Sequence, residues 1–264
     1  MEQVGGDLSM KSMKKFGAVL LTAVLATGLA AFADNAAASR DDAAIQASVA
    51  HQLQKKAELR GVQSSVKGGM VTLQGSVDSY KAKLDAEKAA RKADHVASVR
   101  DLIQVNAPAV SDAKLQEKIA KTLRYERAGF TNVFDAYMVG VKDGVVTIAG
   151  EAYSPYDKQV ALDDVANTKG VRDVIDQVKV SPNSIFDDQL RWRLVRAVYG
   201  SPSGFRYGID PQAPIRIVVD NGHVGLYGVV DSEVDRTMAV MRARQVFGVF
   251  DVENHLLTPK DLAR

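Results

Sequence analysis

The sequence predicts an α+β protein of three tandem αββαβ units, each a three-stranded mixed sheet packed against two helices. Three observations carry this expectation. An eight-residue phrase occurs three times, as Gly68-Gly69-Met70-Val71-Thr72-Leu73-Gln74-Gly75, Asp143-Gly144-Val145-Val146-Thr147-Ile148-Ala149-Gly150 and Asn221-Gly222-His223-Val224-Gly225-Leu226-Tyr227-Gly228. The copies lie 75 and 78 residues apart, a spacing that suits whole domains rather than solenoid repeats. Helical patterns flank every copy, and Pro108 and Pro182 break the chain between one unit and the next.

Each phrase opens on a pair suited to a two-residue type I′ hairpin, in which both central residues need positive φ. It continues as an alternating strand, with Val71/Leu73, Val146/Ile148 and Val224/Leu226 on one face. It closes on Gly75, Gly150 or Gly228 at the inward phase, where a glycine is expected under close approach by a strand or helix.

In chain order, residues 41–57 read as an amphipathic helix capped by Asp41 or Asp42, with Ile45, Val49, Leu53 and Ala57 at four-residue spacing. A strand from Val62 to Lys67 leads into the first phrase, which ends near Val77. Ser79 caps a helix to about Ala93, and a last strand carries Leu102, Ile103 and Val105. The second unit starts a helix at Asp112, with Leu115, Ile119 and Leu123 on one face. A strand over Phe134 to Val141 and the second phrase follow, and Ser154-Pro155 begins a helix that stops at Gly170. Val171 to Val180 forms the last strand. The third unit places Leu190, Leu194 and Val198 on a helix starting at Asp187. A loop over 200–214 precedes a strand over Ile215 to Val219 and the third phrase. Ser232 and Asp235 resemble a capping box for a helix to Val246, and the last strand ends near Leu257. The short linkers predict neighbouring units that touch without sharing one core.

Composition narrows the function classes. The 264 residues carry 34 basic and 32 acidic side chains, a net +2 that lacks the basic excess of a nucleic-acid binder. With no cysteine there is no disulfide, no thiol nucleophile and no cysteine-bound zinc. Residues 1–38 are expected to be a signal peptide with any leading extension. Lys11, Lys14 and Lys15 precede an apolar run from Phe16 to Phe32, with cleavage after Ala33 or Ala38; an uncleaved anchor is the competing reading, and Met10 competes with Met1 as the start. Cleavage implies a periplasmic or external protein.

No catalytic motif emerges. His51, His95, His223 and His255 share no ligand spacing, so neither a metal nor a cofactor is expected. The pairs Asp41/Asp42, Asp163/Asp164 and Asp187/Asp188 read as capping or solvated residues. Gly69, Gly144, Gly222, Gly75, Gly150, Gly228, Gly170 and Gly248 read as structural turn and packing positions. One stretch stands apart: Arg191, Trp192, Arg193 and Arg196 on the opening helix of the third unit. Trp192 lies about 200° around the helix from Leu190 at ~100° per residue, with Arg196 four residues on. An outward tryptophan among arginines suits a lipid headgroup interface, with Phe205, Arg206 and Tyr207 as additions. The alternative is that Trp192 packs against a neighbouring unit.

The αββαβ order, the Gly-x-Val-x-Leu-x-Gly strand and the later Gly170-Val171-x-x-Val174 and Gly248-Val249-x-x-Val252 together resemble the BON domain. The resemblance spans residues 42–106, 112–181 and 187–258. In the first copy His95 stands where the others have glycine, which predicts a strained left-handed residue. The resemblance implies a non-catalytic, exported protein that contacts phospholipid membranes peripherally and supports envelope integrity or the osmotic stress response. A protein-interaction or assembly module, with an envelope protein or a second copy as partner, is the alternative; nucleic acid is not an expected partner.

Overall fold

The structure is a computed structural model that describes residues 41–125, 130–200, 204–210 and 212–263. The expected signal peptide lies outside the described residues. The chain divides into two compact units, one built from most of the first repeat and the other taking residues 76–85 and 104 onward, with the second and third repeats whole.

In the first repeat, α1 (41–54), β1 (Val62–Lys67), β2 (Met70–Val77), α2 (Tyr80–Arg91) and β3 (Ser98–Val105) follow the expected order. The second runs α3 (Asp112–Tyr125), β4 (Ala136–Lys142), β5 (Val145–Ala152), α4 (Pro155–Ala166) and β6 (Asp173–Val180). The third runs α5 (Ile185–Tyr199), a short α6 (Phe205–Gly208), β7 (Ile215–Asp220), β8 (His223–Val229), α7 (Glu233–Arg244) and β9 (Asp251–Leu257), and a final turn of helix, α8, covers Pro259–Leu262. The three sheets are ordered β1-β2-β3, β4-β5-β6 and β7-β8-β9. The hairpins pair antiparallel, while β6 joins β5 and β9 joins β8 in parallel, as a crossover through a helix requires.

All three hairpins have the expected two-residue turns. Lys67 pairs with Met70, Lys142 with Val145 and Asp220 with His223, and both residues between them have positive φ in each case. The strand-closing glycines are required by the antiparallel neighbour and not by a helix. A Cβ on Gly75, Gly150 or Gly228 would lie 2.1, 2.0 or 2.0 Å from the carbonyl oxygen of Gly61, Ala136 or Pro214, and all three have φ above 100°.

Each core fills the space between the inward face of the central strand and two helices. In the first repeat Ile45, Val49, Leu53, Val71 and Leu73 are buried. In the second, Leu115, Ile119 and Leu123 meet Val146, Ile148, Ala161 and Val165. In the third, Leu190, Leu194 and Val198 meet Ile217, Val224, Leu226, Ala239 and Ala243. Helix starts follow the capping residues. Ser154, Ser184 and Ser232 each accept a hydrogen bond from the backbone N–H three residues on.

Several boundaries differ from expectation. Ala57 leaves the helix for a 3-10 turn that buries Leu59. The third repeat's helix begins at Ile185, because Ser184 takes the cap that Asp187 was expected to provide. The helix α4 ends at Ala166 and not at Gly170, since the Asn167 N–H already turns back onto Asp163 and Val165. Similarly α7 ends at Arg244, with Gln245 closing it. Phe134 belongs to a 3-10 turn, Phe130–Phe134, and not to β4. That turn also corrects the expectation of separate cores. Val133 and Phe134, from the second repeat, are buried in the same cluster as Leu190, Ile215 and Ile217 of the third.

Candidate functional site

The hairpin turn at one end of each repeat is held by the same three bonds. An aspartate from the start of the first helix spans both turn amides. Asp42 accepts from Gly68 and Gly69 at 2.8 and 2.9 Å, Asp112 from Asp143 and Gly144 at 2.8 and 3.0 Å, and Asp187 from Asn221 and Gly222 at 3.0 Å each. The carbonyl of the turn glycine then accepts from the segment entering the last strand, namely Ala97, Arg172 or Phe250, at 2.9 Å each. A carboxylate across two adjacent N–H groups is a strong, charge-assisted arrangement. These aspartates are therefore turn clamps, a role that reading them as simple caps missed. The signal was available, because each stands three residues before the first buried aliphatic: Asp42/Ile45, Asp112/Leu115 and Asp187/Leu190.

What lies over the clamped turn differs between repeats. In the first, a Cβ on Gly69 would meet the small Ala97 side chain at 3.4 Å and the His95 carbonyl oxygen at 3.5 Å. In the second, the stem of Arg172 covers Gly144 and Val110 covers Gly170. In the third, the Phe250 ring covers Gly222 and Phe186 covers Gly248. His95, which replaces this last glycine in the first repeat, sits at φ 62° as expected, against 105° at Gly170 and 100° at Gly248.

The four residues singled out on α5 separate into different roles. Arg191 is only 2% exposed. Its Nη1 donates to Asp188 Oδ1 and its Nη2 to the Val219 carbonyl, both at 2.7 Å, and its guanidinium lies 5.1 Å from the Tyr153 ring centre. Arg191 thus ties the second repeat to the third and is out of reach of a headgroup. Arg191 directly follows Leu190 in α5, and Tyr153 of the second repeat covers it. The Tyr153 hydroxyl donates to Asp188 at 3.3 Å, and burial followed by the Asp188 charge pushes its pKa up. Trp192 is 42% exposed and meets Phe134 edge-on at 5.2 Å, so packing takes one side of the indole and solvent the other. Arg193 reaches Gln189 and the Phe247 carbonyl, and Arg196 is exposed. Neither forms an ion pair among the described residues.

Arg206 and Tyr207 do not extend this face. The Tyr207 ring is buried and its oxygen accepts from the Asp231 N–H at 2.9 Å, while Arg206 is bound to Asp235 and lies 3.6 Å from Asp231. The Phe205 side chain lies outside the described residues. Among the described residues no group of three or more His, Cys, Asp or Glu is placed to hold a metal, and no helix is long and apolar enough to cross a membrane.

Fold and site define a tandem α+β protein in which one aspartate per repeat braces the hairpin turn. The BON domain matches residues 41–107, 111–182 and 206–259, and the chain belongs to the BON domain family. The third match begins beyond α5, although α5 occupies the place of α1 and α3; the additional segment around α6 separates it from β7. BON domains are linked to membrane and phospholipid association. No curated protein matches the chain. Among solved structures, two chains of CdsD, a structural protein of the type III secretion system of Chlamydia trachomatis, align at 15% and 16% identity with TM-scores of 0.23. They cover 82% and 80% of this chain and 93% and 95% of theirs. The periplasmic domain of PrgH aligns at 12% identity with a TM-score of 0.18, over 79% of this chain and 98% of that one. Alignments at these scores bear on neither fold nor function.

Proposed function

We propose that this chain is an exported, non-catalytic protein that associates peripherally with anionic phospholipid membranes and supports envelope integrity or the osmotic stress response. The observation that carries the membrane reading is the outer face of α5. There the free side of Trp192 is flanked by Arg193 and Arg196, whose charges no carboxylate among the described residues neutralises. An indole at an apolar–polar boundary beside cations suits the headgroup layer. Several weak contacts from linked repeats reinforce one another through effective concentration.

The test is sedimentation of residues 34–264 with neutral and anionic vesicles at low and high salt. Binding to anionic vesicles alone, weakened by salt, is expected. Absence of binding under every condition rejects the membrane reading and turns the search to an envelope protein partner. Trp192→Ala is expected to weaken binding, and Arg191→Met to leave the charge dependence of binding unchanged because Arg191 faces inward.

A further inference from the structure

The third repeat presents at its clamped turn a set of side chains that neither other repeat has. Ile185 and Phe186 at the start of α5 are 81% and 46% exposed, and Phe247 and Phe250, in the segment between α7 and β9, are 85% and 73% exposed. Bonds bring them to one end of the repeat. Asp187 holds the Asn221–Gly222 turn, the Phe250 N–H donates to the Gly222 carbonyl, Phe186 lies over Gly248, and Arg193 reaches the Phe247 carbonyl.

The fold does not require these residues. Counted from the clamp aspartate and from His95, Gly170 and Gly248, the positions of Phe186, Phe247 and Phe250 hold Asp41, Asp94 and Ala97 in the first repeat. In the second they hold Ser111, Lys169 and Arg172. Both of those repeats close their turns with the same bonds. Single exposed apolar side chains are ordinary, but a cluster of them marks an interaction surface.

We propose that this tip enters the headgroup–acyl boundary of an anionic bilayer, a site that rests on the membrane reading above and shares only Arg193 with the outer face of α5. The charge around the tip selects this occupant. Arg242 and Arg244 close the last turn of α7 just before Phe247, and Arg193 lies beneath it; none of the three forms an ion pair among the described residues. Of the acids nearby, Asp220 accepts from the Asn221 side-chain amide at 2.8 Å. Asp187 is buried in the turn, Asp188 is paired with Arg191, and Asp251 is bound to His223. An apolar wedge with Arg193 at its base and Arg242 and Arg244 in the adjoining helical turn matches a surface that is apolar within and phosphate-covered outside. The backbone at the tip offers a protein strand little to pair with, because the turn amides are on Asp187 and the Phe250 amide is on Gly222.

The experiment uses residues 34–264 and vesicles of phosphatidylglycerol with phosphatidylcholine, with phosphatidylcholine alone as reference. Phe247→Ser removes the most exposed ring without opening a core. It is expected to lower anionic-vesicle affinity about tenfold, the effect of withdrawing one aromatic side chain from an apolar phase, with the melting profile unchanged. A second variant reports depth directly. Phe247→Trp in a Trp192→Phe background is expected to shift its emission to the blue on binding and to be quenched by brominated acyl chains. If the wild-type chain binds, Phe247→Ser binds equally well and the reporter is not quenched, the tip is overturned while the membrane reading stands. If the wild-type chain binds no vesicle, both fall. Concentration-dependent association without lipid that Phe247→Ser abolishes would assign the tip to a second copy of the chain and overturn the lipid site.

Discussion

The first and third repeats clamp their hairpin turns with the same aspartate and the same returning amide, yet the surfaces over those turns are opposite in character. Around the first turn lie Asp41, Asp94, His95 and Ala97. Around the third lie Phe186, Phe247 and Phe250, with His223 beside Phe250 at 6.0 Å. The clamp is therefore the fold's requirement, and the cover is free to take up function. The clamp also differs in depth. Asp187 is fully buried, whereas Asp42 is half-buried and Gly68, which it holds, is exposed.

The largest effects are expected from changes to the frame that both repeats share. Gly75→Ala and Gly228→Ala each force a Cβ to about the same distance from a backbone carbonyl oxygen, 2.1 and 2.0 Å, at φ of 121° and 123°. Each is expected to destabilise its own repeat by about 3 kcal/mol or more, combining steric and conformational strain. Thermal melts read by hydrogen exchange, repeat by repeat, check this; a repeat that tolerates the change does not share the frame.

The clamp itself should separate the two. Asp187→Ala leaves two turn amides without their acceptor, one of them buried, and is expected to cost about 2–3 kcal/mol. Asp42→Ala, where water reaches the turn, should cost about 1 kcal/mol. Exchange rates of the Asn221 and Gly222 amides against those of Gly68 and Gly69 measure the difference.

Alkaline pH is expected to act on the third repeat through Tyr199. Its hydroxyl donates to the Ile215 carbonyl and accepts from the Ile215 N–H at 2.9 Å, and burial pushes its pKa well above the ordinary value. The unfolded chain then loses this proton before the folded chain does. Stability present below about pH 10 falls as pH rises, by about 1.4 kcal/mol for each unit until the folded pKa is reached. Urea titrations at pH 9 and 11 should show the loss in the wild type and a smaller one in Tyr199→Phe. The smallest effect is a gain. His95→Gly removes a non-glycine residue from φ 62° and is expected to raise the stability of the first repeat by about 0.5–1 kcal/mol.

Most of the architecture was legible because its determinants are local. The Asp-Gly and Asn-Gly turns, the alternating strands and Ser154-Pro155 each act within a few residues, and all three appear as expected. Helix ends were less legible, since Asn167 and Gln245 close their helices without the glycine that marks a stop. The site was legible only in part. Helical geometry put Trp192 opposite Leu190, and it is half exposed; but the same geometry says nothing about Tyr153 or Phe134, which arrive from the preceding repeat and bury Arg191 and one side of the indole. The aromatic tip was missed for a similar reason. Phe186 is far in sequence from Phe247 and Phe250, the three fall outside any periodic pattern, and they come to one end of the repeat only once the turn is clamped.

Phe134 has a consequence for how such a chain is inherited. It is 1% exposed, and much of what covers it belongs to the third repeat. A recombination event at Pro182 would part the ring from its socket, leaving a hole in one descendant and a bare aromatic in the other. The second and third repeats are thus expected to be inherited as a couple, and duplications that preserve a working protein should copy the two together.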